Sequence, residues 1–353
     1  MQTKKVLISD DVHASLLEGL TSDGFECVYQ PDMSDADVRR VIPEYIGLIV
    51  NSKINVDRAM LSSAVNLKFV GRLGSGMEIV DTIAAAQYNV AVLSSPEGNR
   101  NAVAEHTLGM LLALSNNLIC SNAEVKDFTW LRAQNRGFEL RGRTIGIIGF
   151  GHTGSSFALK LLGFGMRIMV YDKYLPTGFL EKMPFPRSKC AYPRYEMETV
   201  ESALSKELGQ AFDTTNYEFS TIEETDLETL QNEADIISFH LPLTPQTKHF
   251  VNAEFFKKCR KQIVILNTSR GNVVKTTDLI AALAGNQVIG AGLDVFENEK
   301  ITTYTAAEKI RYKTLFDHKN VIVSPHIAGW THESKARLAE VLLHKIRALK
   351  FIK

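Results

Sequence analysis

The sequence has no excess charge of either sign. Lysine and arginine total 40, and aspartate and glutamate total 40. A balanced chain sets up no field to attract nucleic acid or an anionic membrane surface, so any basic group at a site must act locally. No apolar run reaches the ~18–20 residues that a spanning helix needs. The opening MQTKKVLISDD runs straight into a strand-like stretch without the apolar core of a secretory signal, which predicts a cytoplasmic protein. Cysteine is scarce. Cys27, Cys120, Cys190 and Cys259 form no CxxC and no metal-ligand spacing. They read as reduced, mostly buried thiols, and no metal is expected. Internal repeats and low-complexity tracts are missing as well.

At 353 residues the chain is long enough for two domains. Short apolar runs alternate with helical stretches. KKVLISD (Lys4–Asp10), IGLIVNS (Ile46–Ser52), LKFVGRLG (Leu67–Gly74) and VAVLSSPEGN (Val90–Asn99) read as strands or strands entering loops. Such alternation predicts a parallel sheet covered by helices. Asn101–Leu118 then reads as a helix apolar on most faces, hence buried. From Thr144 the alternation restarts. Strands are predicted at TIGIIGFG, RIMVYD, ADIISFHLP, QIVILNTSRG, VIGAGLDVF and NVIVSPHI, and a closing helix at Thr331–Lys350. A tight βαβ unit needs ~30 residues, and about twice as many separate Asp172 from Ala234. The excess, near residues 177–213, reads as a surface insertion with a helix at Met197–Phe212.

Gly149-Phe-Gly151-His-Thr-Gly154 is a GxGxxG turn. It follows an apolar strand, opens a helix and precedes a second strand ending at Asp172, the full context of a dinucleotide site. Gly149 permits the tight turn. Gly151 lets the backbone approach a diphosphate at the positive end of the helix dipole. Gly154 allows close helix–strand packing. Asp172 can accept from ribose hydroxyls and would repel a 2′-phosphate, so NAD is expected rather than NADP. His152 lies inside the turn as an exposed or partly stacked residue.

In such folds ligands gather just beyond the carboxyl ends of the strands. The residues there are His240-Leu241-Pro242, Thr268-Ser269-Arg270, Asp294 to Glu299, and Pro325-His326-Ile327-Ala328-Gly329. They supply an arginine, a carboxylate pair and a histidine. A 2-keto or 2-hydroxy acid needs that set. The arginine fork can hold carboxylate and carbonyl oxygens. The histidine can pass the hydroxyl proton. A carboxylate beside it orients the ring and favours its charged form.

These stretches resemble the D-isomer-specific 2-hydroxyacid dehydrogenases, most of all the D-3-phosphoglycerate dehydrogenases among them. VGRLGSGMEIVD (Val70–Asp81) resembles the family's substrate loop and SPEGNRNAVAEHTLGMLLAL (Ser95–Leu114) its interdomain helix. LNTSRGNVV carries the catalytic arginine at Arg270, GLDVFENE the glutamate at Glu299, and SPHIAGWT the histidine at His326. Glu297 competes with Glu299, but the family places its glutamate five positions after the Asp of DVF. The resemblance implies an α/β protein of two domains with parallel sheets and helices on both faces. A flavodoxin-like substrate domain would comprise residues 1–100 plus 328–353. A Rossmann NAD-binding domain, 101–327, would be inserted into it, which explains a fingerprint in mid-chain. The cleft between the domains would hold the nicotinamide and the acid and would close on them.

By the same resemblance, Arg270, Glu299 and His326 are catalytic. Gly149, Gly151, His152, Thr153, Gly154, Asp172, His240, Leu241, Pro242, Thr268, Ser269, Asp294 and Gly329 bind NAD. Lys53, Arg72, Ser75 and Gly76 bind substrate, though Arg72 could equally tie down its own loop. His106 and Glu105 read as packing and capping groups. Departures exist. Ile79 replaces an Asn, Lys300 replaces the proline after the glutamate, and Lys53 stands where many phosphoglycerate enzymes have an arginine. The chain ends soon after its last helix, so the serine-binding regulatory domain of some relatives is expected to be absent. The expected activity is NAD-dependent oxidation of a D-2-hydroxy acid, D-3-phosphoglycerate first, on the way to serine. Reduction of glyoxylate or hydroxypyruvate is the nearest rival, and Glu299 argues against formate. An NAD(H)-sensing corepressor is the alternative of another class. A homodimer through the NAD-binding domain is expected, with no nucleic acid and no membrane.

Overall fold

The computed structural model describes residues 4–176, 178–182 and 220–349. The expected insertion near residues 177–213, with its helix at Met197–Phe212, lies almost wholly outside the described residues, as does Cys190. The chain divides into two compact units, Met1–Ala102 with Gly329–Lys353, and Val103–Ala328.

The first unit is built on five parallel strands, β1 (Lys5–Ile8), β2 (Glu26–Tyr29), β3 (Gly47–Val50), β4 (Phe69–Arg72) and β5 (Ala91–Ser94), in the order β2-β1-β3-β4-β5. Successive side chains along a strand point to opposite faces. Val6 and Ile8 accordingly join one core and Leu7 the other; Ile49 sits in the first, Leu48 and Val50 in the second. Both faces are therefore buried, as in parallel sheets generally. One face is covered by the helix Ala14–Ser22 through Leu16 and Leu20, and by the C-terminal helix His332–Arg347 through Ala339, Leu342 and Ile346. That last helix starts at a Thr331–Ser334 capping box, which satisfies leading amides that would otherwise lack partners. The other face packs on Val38, Met60, Leu61, Ala84 and Ala85.

The second unit holds seven parallel strands, β6 (Thr144–Ile148), β7 (Arg167–Tyr171), β8 (Thr221–Glu224), β9 (Ile236–Phe239), β10 (Ile263–Asn267), β11 (Val288–Leu293) and β12 (Val321–Val323). Their order is β12-β11-β10-β9-β6-β7-β8. Alternation again splits the apolar residues. Ile145, Ile147, Val264 and Leu266 face one core, and Ile237, Phe239, Ile263 and Ile265 the other.

The helix expected at Asn101–Leu118 runs instead over Pro96–Ser115. It stops because Asn117 takes a left-handed conformation (φ 51°), and a separate helix, Leu118–Lys126, follows. Cys27 and Cys120 are half-buried and Cys259 buried; burial pushes the Cys259 thiol up to about 12. Among the described residues no helix is long and apolar enough to cross a membrane.

Candidate active site

In the second unit the strand order reverses between β6 and β9, the place where such sheets bind ligands. The glycine turn leaves β6 at this point. Gly149 has φ 92°, and a Cβ there would lie 2.4 Å from the His240 carbonyl oxygen, so only glycine fits. Gly154 approaches so closely that a Cβ would stand 2.1 Å from Gly149 O. Gly151 precedes the helix His152–Lys160, which has no side-chain cap, and a Cβ on it would meet nothing within 4 Å. The turn thus offers uncapped amides beside open space, as an anion-binding helix start requires. His152 is exposed and Thr153 half-buried.

Asp172 follows β7. Its Oδ2 accepts from the Phe150 amide at 2.8 Å and its Oδ1 from the Tyr174 amide at 2.9 Å. The carboxylate so fixes the turn while each oxygen keeps a lone pair for a ribose hydroxyl. His240 follows β9 and is buried. Its Nε2 lies 2.9 Å from Ser238 Oγ, and its Nδ1 has no hydrogen-bond partner. Burial holds this imidazole at a pKa of about 3, so it is neutral. These features fit a dinucleotide: a glycine cradle, an acceptor carboxylate and an orphaned buried nitrogen.

Beyond β10, Thr268 Oγ1 lies 2.9 Å from Thr107 Oγ1. Asn267 Oδ1 accepts from the Ser269 amide and hydroxyl at 3.1 and 2.8 Å, and its Nδ2 donates to Arg270 O at 3.0 Å. Arg270 Nη1 donates to Ser269 O at 2.7 Å. Beyond β12, His326 adopts φ 56°. A non-glycine residue stays there only if its surroundings enforce it. The fully buried Asp294 does so. Its Oδ1 accepts from Ser324 Oγ at 2.5 Å and the Ile327 amide at 2.8 Å, its Oδ2 from the Ala328 amide at 2.8 Å, and its carbonyl from the His326 amide at 2.8 Å.

His326 Nδ1 meets Glu299 Oε2 at 2.8 Å. Burial disfavours the Glu299 charge. The His326 hydrogen bond and charge, the Phe296 amide and the charge of Arg270 outweigh it, so the carboxyl stays below the usual range. Glu297 turns elsewhere. It accepts from the Thr276 amide at 2.5 Å and stands 3.3 Å from His249 Nε2 without hydrogen-bond geometry. Arg270, Glu299 and His326 are therefore brought together, and Glu297 is not among them.

Sequence reasoning missed one link. His106 Nε2 lies 2.9 Å from Ser324 Oγ and so extends the Asp294 network. His106 and Glu105 had read as groups at a helix start. The helix begins at Pro96, so both are interior, and Glu105 pairs with Lys160 at 2.9 Å rather than capping. Nothing in the spacing connects His106 with a serine in the far strand end.

The remaining candidates belong to the first unit. Asp10 and Asn51 flank its own order reversal, between β1 and β3, with the Asn51 amide donating to Asp10 Oδ2 at 2.6 Å. Burial raises the Asp10 carboxyl, while the Asn51 amide, Lys53 and Arg72 oppose that rise. Lys53 Nζ donates to the Pro31 carbonyl. Arg72 Nη1 donates to Leu73 O at 3.1 Å and lies over Gly74, where a Cβ would come within 1.4 Å of it. Ser75 and Gly76 occupy the loop after β4. Gly329 also falls in this unit, against Asn99.

Residues 108–188 and 208–328 match the family model of the D-isomer specific 2-hydroxyacid dehydrogenase, NAD binding domain. The chain belongs to that family. It is 31% identical over 337 residues to a D-3-phosphoglycerate dehydrogenase of Rattus norvegicus, covering 96% of this chain and 55% of that protein. It is also 31% identical over 310 residues to a hydroxypyruvate reductase of Thermotoga maritima, covering 88% of this chain and 86% of that protein. This member of the family spans about half the length of the D-3-phosphoglycerate dehydrogenases it matches. In fold it is similar to a crystal structure of D-lactate dehydrogenase from Aquifex aeolicus complexed with NAD and lactic acid. There the TM-score is 0.76, identity 24%, and coverage 98% of this chain and 94% of that one.

Proposed function

We propose that the protein is an NAD-dependent oxidoreductase of D-2-hydroxy acids, with D-3-phosphoglycerate as substrate and 3-phosphohydroxypyruvate as product on the route to serine. The observation that carries this reading is the 2.8 Å His326–Glu299 pair under the charge of Arg270, at the carboxyl ends of a sheet whose glycine turn fits a dinucleotide. Bound NAD supplies the acceptor for the hydride from C2. His326 takes the hydroxyl proton on Nε2, the ring nitrogen turned away from Glu299. Glu299 fixes the ring through Nδ1 and stabilises the cation that forms. Arg270 polarises the C2 oxygen and holds the carboxylate. Gly149, Gly151, His152, Thr153, Gly154, Asp172, His240, Leu241, Pro242, Thr268, Ser269, Asp294 and Gly329 are assigned to the cofactor. Lys53, Arg72, Ser75 and Gly76 are assigned to the substrate.

A second reading, reduction of hydroxypyruvate or glyoxylate, is favoured by one observation. The chain spans 86% of the length of the 31% identical hydroxypyruvate reductase, against 55% of the D-3-phosphoglycerate dehydrogenase. We also infer a cytoplasmic homodimer formed through the second unit. Phe128 (99% exposed), Trp130 (75%) and Ile119 (58%) leave apolar surface there of the kind that marks interfaces.

The test is NADH absorbance followed with phosphoglycerate, glycerate, lactate, hydroxypyruvate and glyoxylate. Fastest turnover with phosphoglycerate supports the first reading, and fastest turnover with hydroxypyruvate or glyoxylate the second. Tight NAD binding without turnover on any of them would replace both with an NAD(H)-sensing corepressor-like role.

A further inference from the structure

Glu299 sits at the end of a short loop and is more than a third exposed, so burial alone does not aim its carboxylate. Lys300 follows it without the φ restraint of a proline. The restraint comes from the residue before it. The Asn298 amide donates to Tyr312 Oη at 3.0 Å, and the Asn298 carbonyl accepts from Tyr304 Oη at 2.8 Å. Its side chain is also engaged. Nδ2 donates to Thr303 Oγ1 and Glu308 Oε1, both at 3.2 Å, and Oδ1 accepts from the Lys300 amide at 3.0 Å. The two tyrosine rings stack at 4.7 Å, and Tyr312 packs edge-on to Phe296 at 6.0 Å, so the hydroxyls are held on a rigid aromatic base.

The opposite side of the loop is fixed as well. Asn272 Nδ2 donates to Glu297 O at 3.3 Å. Gly271 comes so near Phe296 that a Cβ would lie 1.9 Å from its carbonyl oxygen. That contact joins the Glu299 loop to the turn bearing Arg270. The backbone on either side of Asn298 therefore has little freedom, and Glu299 inherits its direction from it.

We propose that Tyr304 and Tyr312, acting through both backbone groups of Asn298, are positioning residues that hold the Glu299 carboxylate against His326. The proposal rests on the dehydrogenase reading above. Both hydroxyls are spent on Asn298, so each tyrosine acts on Glu299 through the loop.

The test is a double-mutant cycle on the full chain, using the best substrate of the panel. Tyr304→Phe removes the hydrogen bond to the Asn298 carbonyl and keeps the stacked ring. It is expected to lower kcat about five-fold, the effect of one hydrogen bond, with the KM for NAD unchanged and the melting temperature lowered by only about 2–4 °C. In a Glu299→Gln background the same change is expected to do nothing further, because the carboxylate it aims is gone. Tyr312→Phe, read in the same cycle, removes the oxygen that accepts from the Asn298 amide and is expected to behave alike. Equal loss in both backgrounds, or no loss in the parent, overturns the clamp. Parental turnover in Glu299→Gln alone overturns the reading of the pair and the clamp with it.

Discussion

Mild acid should destabilise this protein through one buried histidine. His240 lies between Ser238 and Phe157, with one ring nitrogen unpartnered. Protonation would place a buried charge there with a single hydrogen-bond acceptor. Its pKa is about 3 in the folded state against 6.5 for an exposed ring. A depressed histidine pKa means that the unfolded chain binds the proton first. Stability is then complete above pH 6.5 and falls as pH drops from there toward 3. At pH 5 the unfolded ring is charged and the folded ring is not, over about 1.5 units. At about 1.4 kcal/mol per unit, the loss is ~2 kcal/mol. Urea unfolding without nucleotide, at pH 7.5 and 5.0, measures it. His240→Gln keeps a polar side chain and removes the titration, so the parent should lose ~2 kcal/mol more than the variant across that interval. All other titrating groups are common to both proteins. Equal losses would refute the argument, since the ring would then be protonating equally in both states.

Other outcomes follow from the same geometry. Replacing His326 by Ala should abolish turnover and leave NAD affinity intact, which fluorescence titration with NADH would check. Asp172→Ala removes a charged acceptor from the Phe150 amide and from the proposed ribose contact, and should weaken NAD binding about ten- to a hundred-fold by calorimetry. Leu342→Ala opens a cavity under the C-terminal helix, where the side chain is fully buried, and should cost ~3 kcal/mol in chemical denaturation. Phe128→Asp combined with Trp130→Asp should convert a dimer to a monomer in sedimentation. A double variant that still sediments as a dimer would move the interface elsewhere.

Much of this protein was legible in the chain because its determinants are local. The strands of both sheet centres show themselves as apolar runs, since a parallel strand buried on both faces has no polar alternation to hide in. The glycine turn is legible for the same reason: a strand, three glycines and a helix start are one contiguous stretch. The edge strands β2 (ECVY) and β8 (TIEE), exposed at both ends and bearing glutamates, are not legible, whereas the edges β5 and β12 still carry apolar runs. The apolar pattern began the long helix at Asn101, whereas the family stretch Ser95–Leu114 already took in its start at Pro96, where proline suits a first helical turn. Family order favoured Glu299 over Glu297 as the partner of His326. In distance they differ plainly, for one carboxylate lies 2.8 Å from that ring and the other caps a helix beside His249. The sequence by itself determined the two sheets and the glycine turn, since each depends on neighbours a few residues away, while the resemblance supplied Arg270, Glu299 and His326 as candidates. Only the tertiary structure decided that Asp294 holds the left-handed turn of His326, that His106 reaches it through Ser324, and that two tyrosines grip Asn298. Those hydrogen bonds join residues from separate strands and helices, and no spacing along a chain encodes a distance that exists only once the sheet has formed.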